Sequence, residues 1–177
     1  MTWSPDSLDP TATLALRDQI RPLYRSCFSG PPWNEPEEKL ATSDHRLSQA
    51  VCRAGFQARA VRSPDGTLLA LAYGWPTPPS LTGCDVYERL IAAIGPAAAR
   101  DLTRDAFEIA ELMVTPTLRR RGIGTALLTA MTTYRPRTWL VTRTDSPAAH
   151  LYTRTGWQQA CALPETNWAV FTWTAPR

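Results

Sequence analysis

The stretch FEIAELMVTPTLRRRGIGTALLTAMTTY, Phe107 to Tyr134, decides how the rest of the chain is read. Its first part, Phe107–Thr115, is a mainly apolar run stopped by Pro116, which cannot donate to a ladder, so it reads as a buried strand. Gly122 and Gly124 bracket Ile123 in the turn that follows. From Thr125 the apolar residues Leu127, Ala130, Met131 and Tyr134 recur at helical spacing until Pro136. Strand, glycine-bearing loop and helix start, in that order, aim backbone N–H groups and the positive end of a helix dipole at one spot. Such a spot suits a phosphate or pyrophosphate. Arg119, Arg120 and Arg121 add positive charge beside it. A tight turn carrying a solvated arginine run fits the same letters. A Walker loop is excluded because Thr125, not Lys, follows Gly124; a dinucleotide fingerprint is excluded because Leu127 stands where its third glycine belongs.

What remains is R-x-x-G-x-G at Arg119, Gly122 and Gly124 behind a strand ending in V-T-P. That string resembles the acetyl-CoA-binding motif of the GNAT superfamily of N-acetyltransferases. A second motif lies further on. Asp145-Ser146-Pro147 opens a helix, with Ser146 as N-cap and Pro147 in the first turn, and Gly156 closes it. Within it Ala148, Tyr152, Gly156 and Trp157 give A-x-x-x-Y-x-x-x-G-W, which resembles the GNAT pattern whose tyrosine protonates the departing thiolate of coenzyme A. Read without the family, Tyr152 is more often a core aromatic.

The resemblance covers Phe107 to Trp157 well and the first hundred residues only in element order. It implies an α+β (α/β mixed sheet) fold, flanked by helices and splayed at strand 107–115, where acetyl-CoA inserts and pairs with the backbone of Leu112, Met113 and Val114. It further implies that Arg119, Arg120, Arg121, Gly122, Ile123, Gly124 and Thr125 hold the pyrophosphate through their N–H groups. One departure is Asp145, where many relatives carry asparagine; a carboxylate cannot donate as an amide does. The acceptor ammonium must lose a proton before it attacks, and Glu108 and Glu111 are the candidate bases, with a water chain as the other route. Three residues apart, they point to opposite faces of an unbulged strand, and a bulge would leave open which faces the cleft. Either also fits a solvated edge charge.

Before this stretch, a helix is expected from about Thr11 to Phe28, with Asp9 or Thr11 as cap and Pro22 as a candidate kink, and a second from about Pro36 to Arg53. The arm before Pro10 carries no periodic pattern. Between the helices, two prolines precede Trp33. By the resemblance Trp33, Asn34 and Glu35 wall the acceptor site, although Trp33 equally fits a residue that caps the core. Phe56–Arg62 and Thr67–Trp75 form a hairpin around Ser63–Gly66. Pro76 to Ala106 reads as a long connection with one short helix at Val86–Ile94, a candidate lid. Thr138–Thr142, Trp157–Leu163 and Trp168–Trp173 supply further strands.

With 177 residues the chain suits a single domain, 1–177. Its net charge of +3 does not argue for nucleic acid, and no track of basic residues for RNA stands outside the loop. The cysteines Cys27, Cys52, Cys84 and Cys161 form no C-x-x-C pair, so neither a zinc site nor a disulfide framework is expected. No leader or membrane span is read, and a cytoplasmic location is expected. Arginine far outnumbers the single Lys39, and Ala and Pro are abundant, an association with GC-rich bacterial, actinobacterial-type genomes. From Pro78 to Glu111 there are six acids and three arginines; from Thr117 to Arg143 there are six arginines and no acid. A basic half suits a polyphosphate and an acidic half a cationic amine.

The resemblance therefore implies an acetyl-CoA-dependent N-acetyltransferase, acting on a primary amine of a small molecule such as an antibiotic or other metabolite by direct attack through a tetrahedral intermediate. No metal, nucleic acid or membrane partner is expected, and a homodimer is compatible. The alternatives are acetylation of a protein or peptide amine and a non-catalytic acyl-CoA-binding module.

Overall fold

The computed structural model describes residues 3–176. Seven strands join in one mixed sheet of order β1-β2-β3-β4-β5-β7-β6: β1 (Asp6–Leu8), β2 (Gln57–Arg62), β3 (Leu68–Pro76), β4 (Phe107–Val114), β5 (Arg137–Arg143), β6 (Gln158–Ala162) and β7 (Trp168–Thr174). The helices are α1 (Pro10–Ala15), α2 (Arg17–Phe28), α3 (Glu37–Ala41), α4 (Ser43–Val51), α5 (Asp85–Ile94), α6 (Pro96–Thr103), α7 (Ile123–Thr132) and α8 (Pro147–Arg154). The residues group into two compact units. One comprises the chain up to Trp75 together with Ile109–Thr133; the other comprises Pro76–Glu108 and the chain from Tyr134 onward.

In the first unit β1, β2 and β3 are antiparallel. Its core joins Ile20, Leu23 and Phe28 of α2, Leu40 of α3, Leu47 and Val51 of α4, Leu71 of β3 and Met113 of β4. Of the apolar residues on the two expected N-terminal helices, Ile20, Leu23, Tyr24, Phe28, Leu40, Leu47 and Val51 are buried and Leu14 and Leu16 partly buried, but each helix is broken in two. Asp9 caps α1, its carboxylate accepting from Ala12 N at 2.7 Å, and Leu16 turns the chain at φ −92°, ψ 7° before its carbonyl starts α2. The break comes there, and Pro22 stays inside α2. Between α3 and α4 the Thr42 hydroxyl donates to the carbonyls of Glu38 and Lys39, offering them a partner other than the continuing helix. The arm that carries no periodic pattern supplies β1, whose three residues pair with β2 and are tied by Arg62 to Asp6 at 2.8 Å.

In the second unit β5 pairs parallel with the start of β4, Phe107 opposite Thr138 and Glu108 opposite Trp139, and antiparallel with β7, which pairs antiparallel with β6. Tyr87, Leu90, Ala99, Trp139 and Val170 form its core. The segment expected to be a long connection holds two helices. Gly95, at φ 82°, ends α5 by donating to Ile91 O at 2.8 Å, and Pro96 opens α6 in the first-turn position. The periodicity of α6 is hidden because its two buried positions are Ala99 and Thr103, neither a strong apolar signal.

Around the central stretch, α7 starts two residues earlier than its periodicity indicates and ends earlier too. The hydroxyls of Thr132 and Thr133 take up the carbonyls of Leu128 and Thr129. Tyr134 therefore lies outside α7 with φ 61° and a fully exposed ring, not on the apolar stripe. Ile123, Leu127, Leu128 and Met131 bury the helix face.

Candidate active site

In the first unit a group of polar side chains gathers around Glu111 of β4. Tyr24 on α2 donates its hydroxyl to Glu35 at 2.6 Å, and Lys39 on α3 pairs with the same carboxylate. Arg46 on α4 lies over the Tyr24 ring, 4.9 Å from its centroid, and its Nη2 is buried with no hydrogen-bond partner among the described residues. Glu111 is only partly exposed, and burial lifts its carboxyl from the ordinary 4.5 to about 7. The neighbouring Glu35 charge pushes the same way, while Lys39 and Arg46 pull it down. The Glu111 charge also helps to raise the phenols of Tyr24 and of Tyr73 on β3, after burial. A carboxyl balanced near neutrality can accept a proton at working pH and release it again.

The chain after β4 makes the anion-binding geometry. Thr115 donates through both N–H and hydroxyl to Leu69 O, at 2.9 and 2.8 Å, and Pro116–Leu118 form a 3-10 turn. Gly122 then takes φ 84° as the N-cap of α7, in space that would leave a Cβ only the edge of Trp3 at 4.0 Å. No side chain caps α7, and its first intrahelical donor to Gly122 O is Ala126 N. The N–H groups of Ile123, Gly124 and Thr125 are thus the orphan donors of a helix start. Arg119, Arg120 and Arg121 are all exposed, and Trp3 Nε1 donates to Arg121 O at 2.8 Å. Within β4, Leu112 is partly exposed and Met113 is buried in the core. The Val114 carbonyl already accepts from Cys27 Sγ and Arg119 Nε, both at 3.4 Å. Trp33 packs edge-on against Phe28, ring centroids 5.4 Å apart, and Asn34 is exposed at φ 44°.

In the second unit Glu108 is buried and accepts from Tyr87 Oη at 2.6 Å. Tyr152 is buried on α8, its ring between those of Trp157 and Phe171 at 5.7 and 5.9 Å, on a helix that Ser146 caps by accepting from Ala149 N. Asp145 is held by Arg143 through Nε at 2.9 Å and Nη2 at 2.7 Å, and that guanidinium lowers its pKa. It serves the turn between β5 and α8.

Sequence reasoning singled out Glu111 and Glu35 but missed Tyr24, Lys39, Arg46 and Tyr73. Each sits at a position that reads as an ordinary stripe or surface residue. One signal was available: Glu35 and Lys39 are four apart in an order that pairs charges across a helical turn.

Residues 84–159 match the family model described as acetyltransferase (GNAT) domain. The fold agrees across the whole length. A Corynebacterium glutamicum structure described as histone acetyltransferase HPA2 and related acetyltransferase is 21% identical, with 98% of this chain and 97% of that one covered at a TM-score of 0.65. This is the GNAT acyltransferase fold. A PaiA N-acetyltransferase from Thermoplasma acidophilum in complex with coenzyme A is 12% identical, covering 99% and 100% at a TM-score of 0.64. A GNAT-family acetyltransferase from Bacillus cereus is 10% identical, covering 98% and 99% at 0.62. At these identities the likeness is one of fold. No curated protein matches the sequence. No helix among the described residues is long and apolar enough to cross a membrane.

Proposed function

We propose that residues 1–177 act as one N-acetyltransferase domain, moving an acetyl group from acetyl-CoA to a primary amine of a small molecule. The observation that carries this reading is Glu111, a carboxyl lifted to about 7 on the strand that leads directly into an uncapped helix start. The GNAT match and a coenzyme A complex among proteins of the same fold support it.

The loop fits the co-substrate: the orphan N–H groups from Gly122 to Thr125 suit its pyrophosphate, with Arg119, Arg120 and Arg121 beside them, and Leu112, Met113 and Val114 are assigned to its pantetheine. Acetyl-CoA supplies an activated thioester. In this assignment Glu111 takes the proton of the acceptor ammonium, so that the amine nitrogen can form the new C–N bond. Tyr152 supplies the proton that neutralises the sulfur as its bond to the acyl carbon breaks. Glu108, bound by Tyr87, is the less suited base. Trp33 and Asn34 are assigned to the acceptor, and Glu35 favours a cationic one by adding a second carboxylate beside Glu111.

A panel of amines assayed for thiol release from acetyl-CoA tests the reading. Turnover with at least one small amine, lost in Glu111→Gln, supports it; coenzyme A binding without turnover on any amine would leave only a binding module.

A further inference from the structure

The second unit contains a cavity of about 600 Å³ that shares no residue with the Glu111 cluster or the glycine loop. Four arginines line it, Arg100 and Arg104 from the α6 end and Arg135 and Arg137 from the entry to β5, together with Tyr134. Along the chain these arginines are spread among acids and prolines; the fold gathers them. Arg137 Nη1 donates to two neutral carbonyls, Asp101 O at 2.9 Å and Arg104 O at 3.5 Å. Arg135 stacks its guanidinium on Phe107, 3.3 Å from the ring centroid. Arg104 pairs with Asp101, and Arg100 is exposed with no acidic partner among the described residues. Asp105 is the one acid in the lining.

The aromatic wall is equally unusual. Tyr134 is 102% exposed and held at φ 61°, and Asp105, also in the lining, is held at φ 53°. Left-handed backbone at two non-glycine residues costs energy that the surrounding structure must offset, and such positions cluster where a ligand is held. Guanidinium groups recognise phosphate oxygens through paired donors, and an exposed tyrosine ring offers a stacking platform for a heterocyclic base. The volume lies within the range of small-ligand sites, roughly 300–1,000 Å³. We propose that this cavity binds a nucleoside phosphate, its phosphate against Arg100, Arg104 and Arg137 and its base on Tyr134.

The proposal is independent of the acetyltransfer reading. Its test is calorimetric titration of the full chain with AMP in saturating coenzyme A, so that the glycine loop cannot account for the heat. Binding should persist, weaken with added salt, and fall roughly tenfold or more in each of Arg100→Gln and Tyr134→Ala, both exposed positions whose replacement leaves the core intact. No AMP binding, or wild-type affinity in both variants, would overturn the site. Inorganic phosphate binding as tightly as AMP would overturn the nucleoside assignment, and AMP binding abolished by coenzyme A would return it to the loop.

Discussion

Replacing Glu111 with glutamine should, beyond a constant offset, stabilise the fold progressively as the pH rises from 4.5 to about 7. In the unfolded chain this carboxyl titrates near 4.5, and in the fold at about 7, because burial and Glu35 disfavour its charge. A group whose folded pKa is raised contributes its full stability below the unfolded pKa. That contribution then declines between pH 4.5 and 7 and is gone above the folded value. At about 1.36 kcal/mol per pH unit the loss approaches about 3 kcal/mol, an upper bound because part of Glu111 stays exposed. For a chain of this size that is a difference in melting temperature on the order of 10 °C. Urea unfolding of wild type and Glu111→Gln at pH 5, 6, 7 and 8 reads it directly. The two should coincide near pH 4.5 apart from a constant offset, and separate steadily until they run parallel above pH 7.5 or so. A difference that stays constant from pH 5 to pH 8 would refute the raised carboxyl, and with it the reason for choosing Glu111 as base. The destabilisation is tolerable if the same group serves proton transfer, so thiol release by the variant should fall by roughly 10²–10⁴-fold near neutrality and recover as the amine loses its proton unaided.

Glu35→Gln removes the like charge and should move the acid limb of the pH–rate profile to lower pH, with burial keeping it above an ordinary glutamate; an unmoved limb would separate Glu35 from the base. Coenzyme A at a hundred times its Kd should add about 2.7 kcal/mol of stability. Gly124→Val should abolish that gain while the unliganded protein still melts cooperatively, and retained affinity would make the loop merely structural. Tyr152→Phe should lower turnover by a factor on the order of 10²–10⁴ with acetyl-CoA affinity nearly unchanged, because charge reaches the sulfur only as its bond breaks. Wild-type turnover, with chemistry shown to limit the rate, would remove Tyr152 from the mechanism.

The elements that could be read from the letters were those whose burial repeats. The strand β2 and the face of α7 show alternation or helical spacing because each buries one side against a core, and β3 and β5 show continuous runs because consecutive residues are buried. Where the signal failed, a local hydrogen bond or a small side chain was responsible. Thr42 and Thr132 compete for carbonyls and cut helices short, which spacing alone does not register, and α6 buries only Ala99 and Thr103, which do not look apolar. Pro116 and Gly122 were legible because their constraint is carried by the residue itself: a missing donor, and a backbone at φ 84°.

The candidate base shows the limit most plainly. Strand parity separates Glu108 from Glu111 but gives no reason to prefer either, since both are glutamates in the same apolar run. Their partners differ. Glu108 accepts a hydrogen bond from Tyr87, which occupies one of its oxygens, whereas partial burial and the neighbouring Glu35 charge lift the Glu111 carboxyl to about 7. Tyr24, Glu35, Lys39 and Arg46 come from three helices and a turn that only tertiary packing brings to β4, so no window of sequence contains the field they create. A motif can therefore mark where a reaction is placed, through residues whose backbone it constrains. The proton affinity of the group that drives the reaction is set by neighbours distant in the chain.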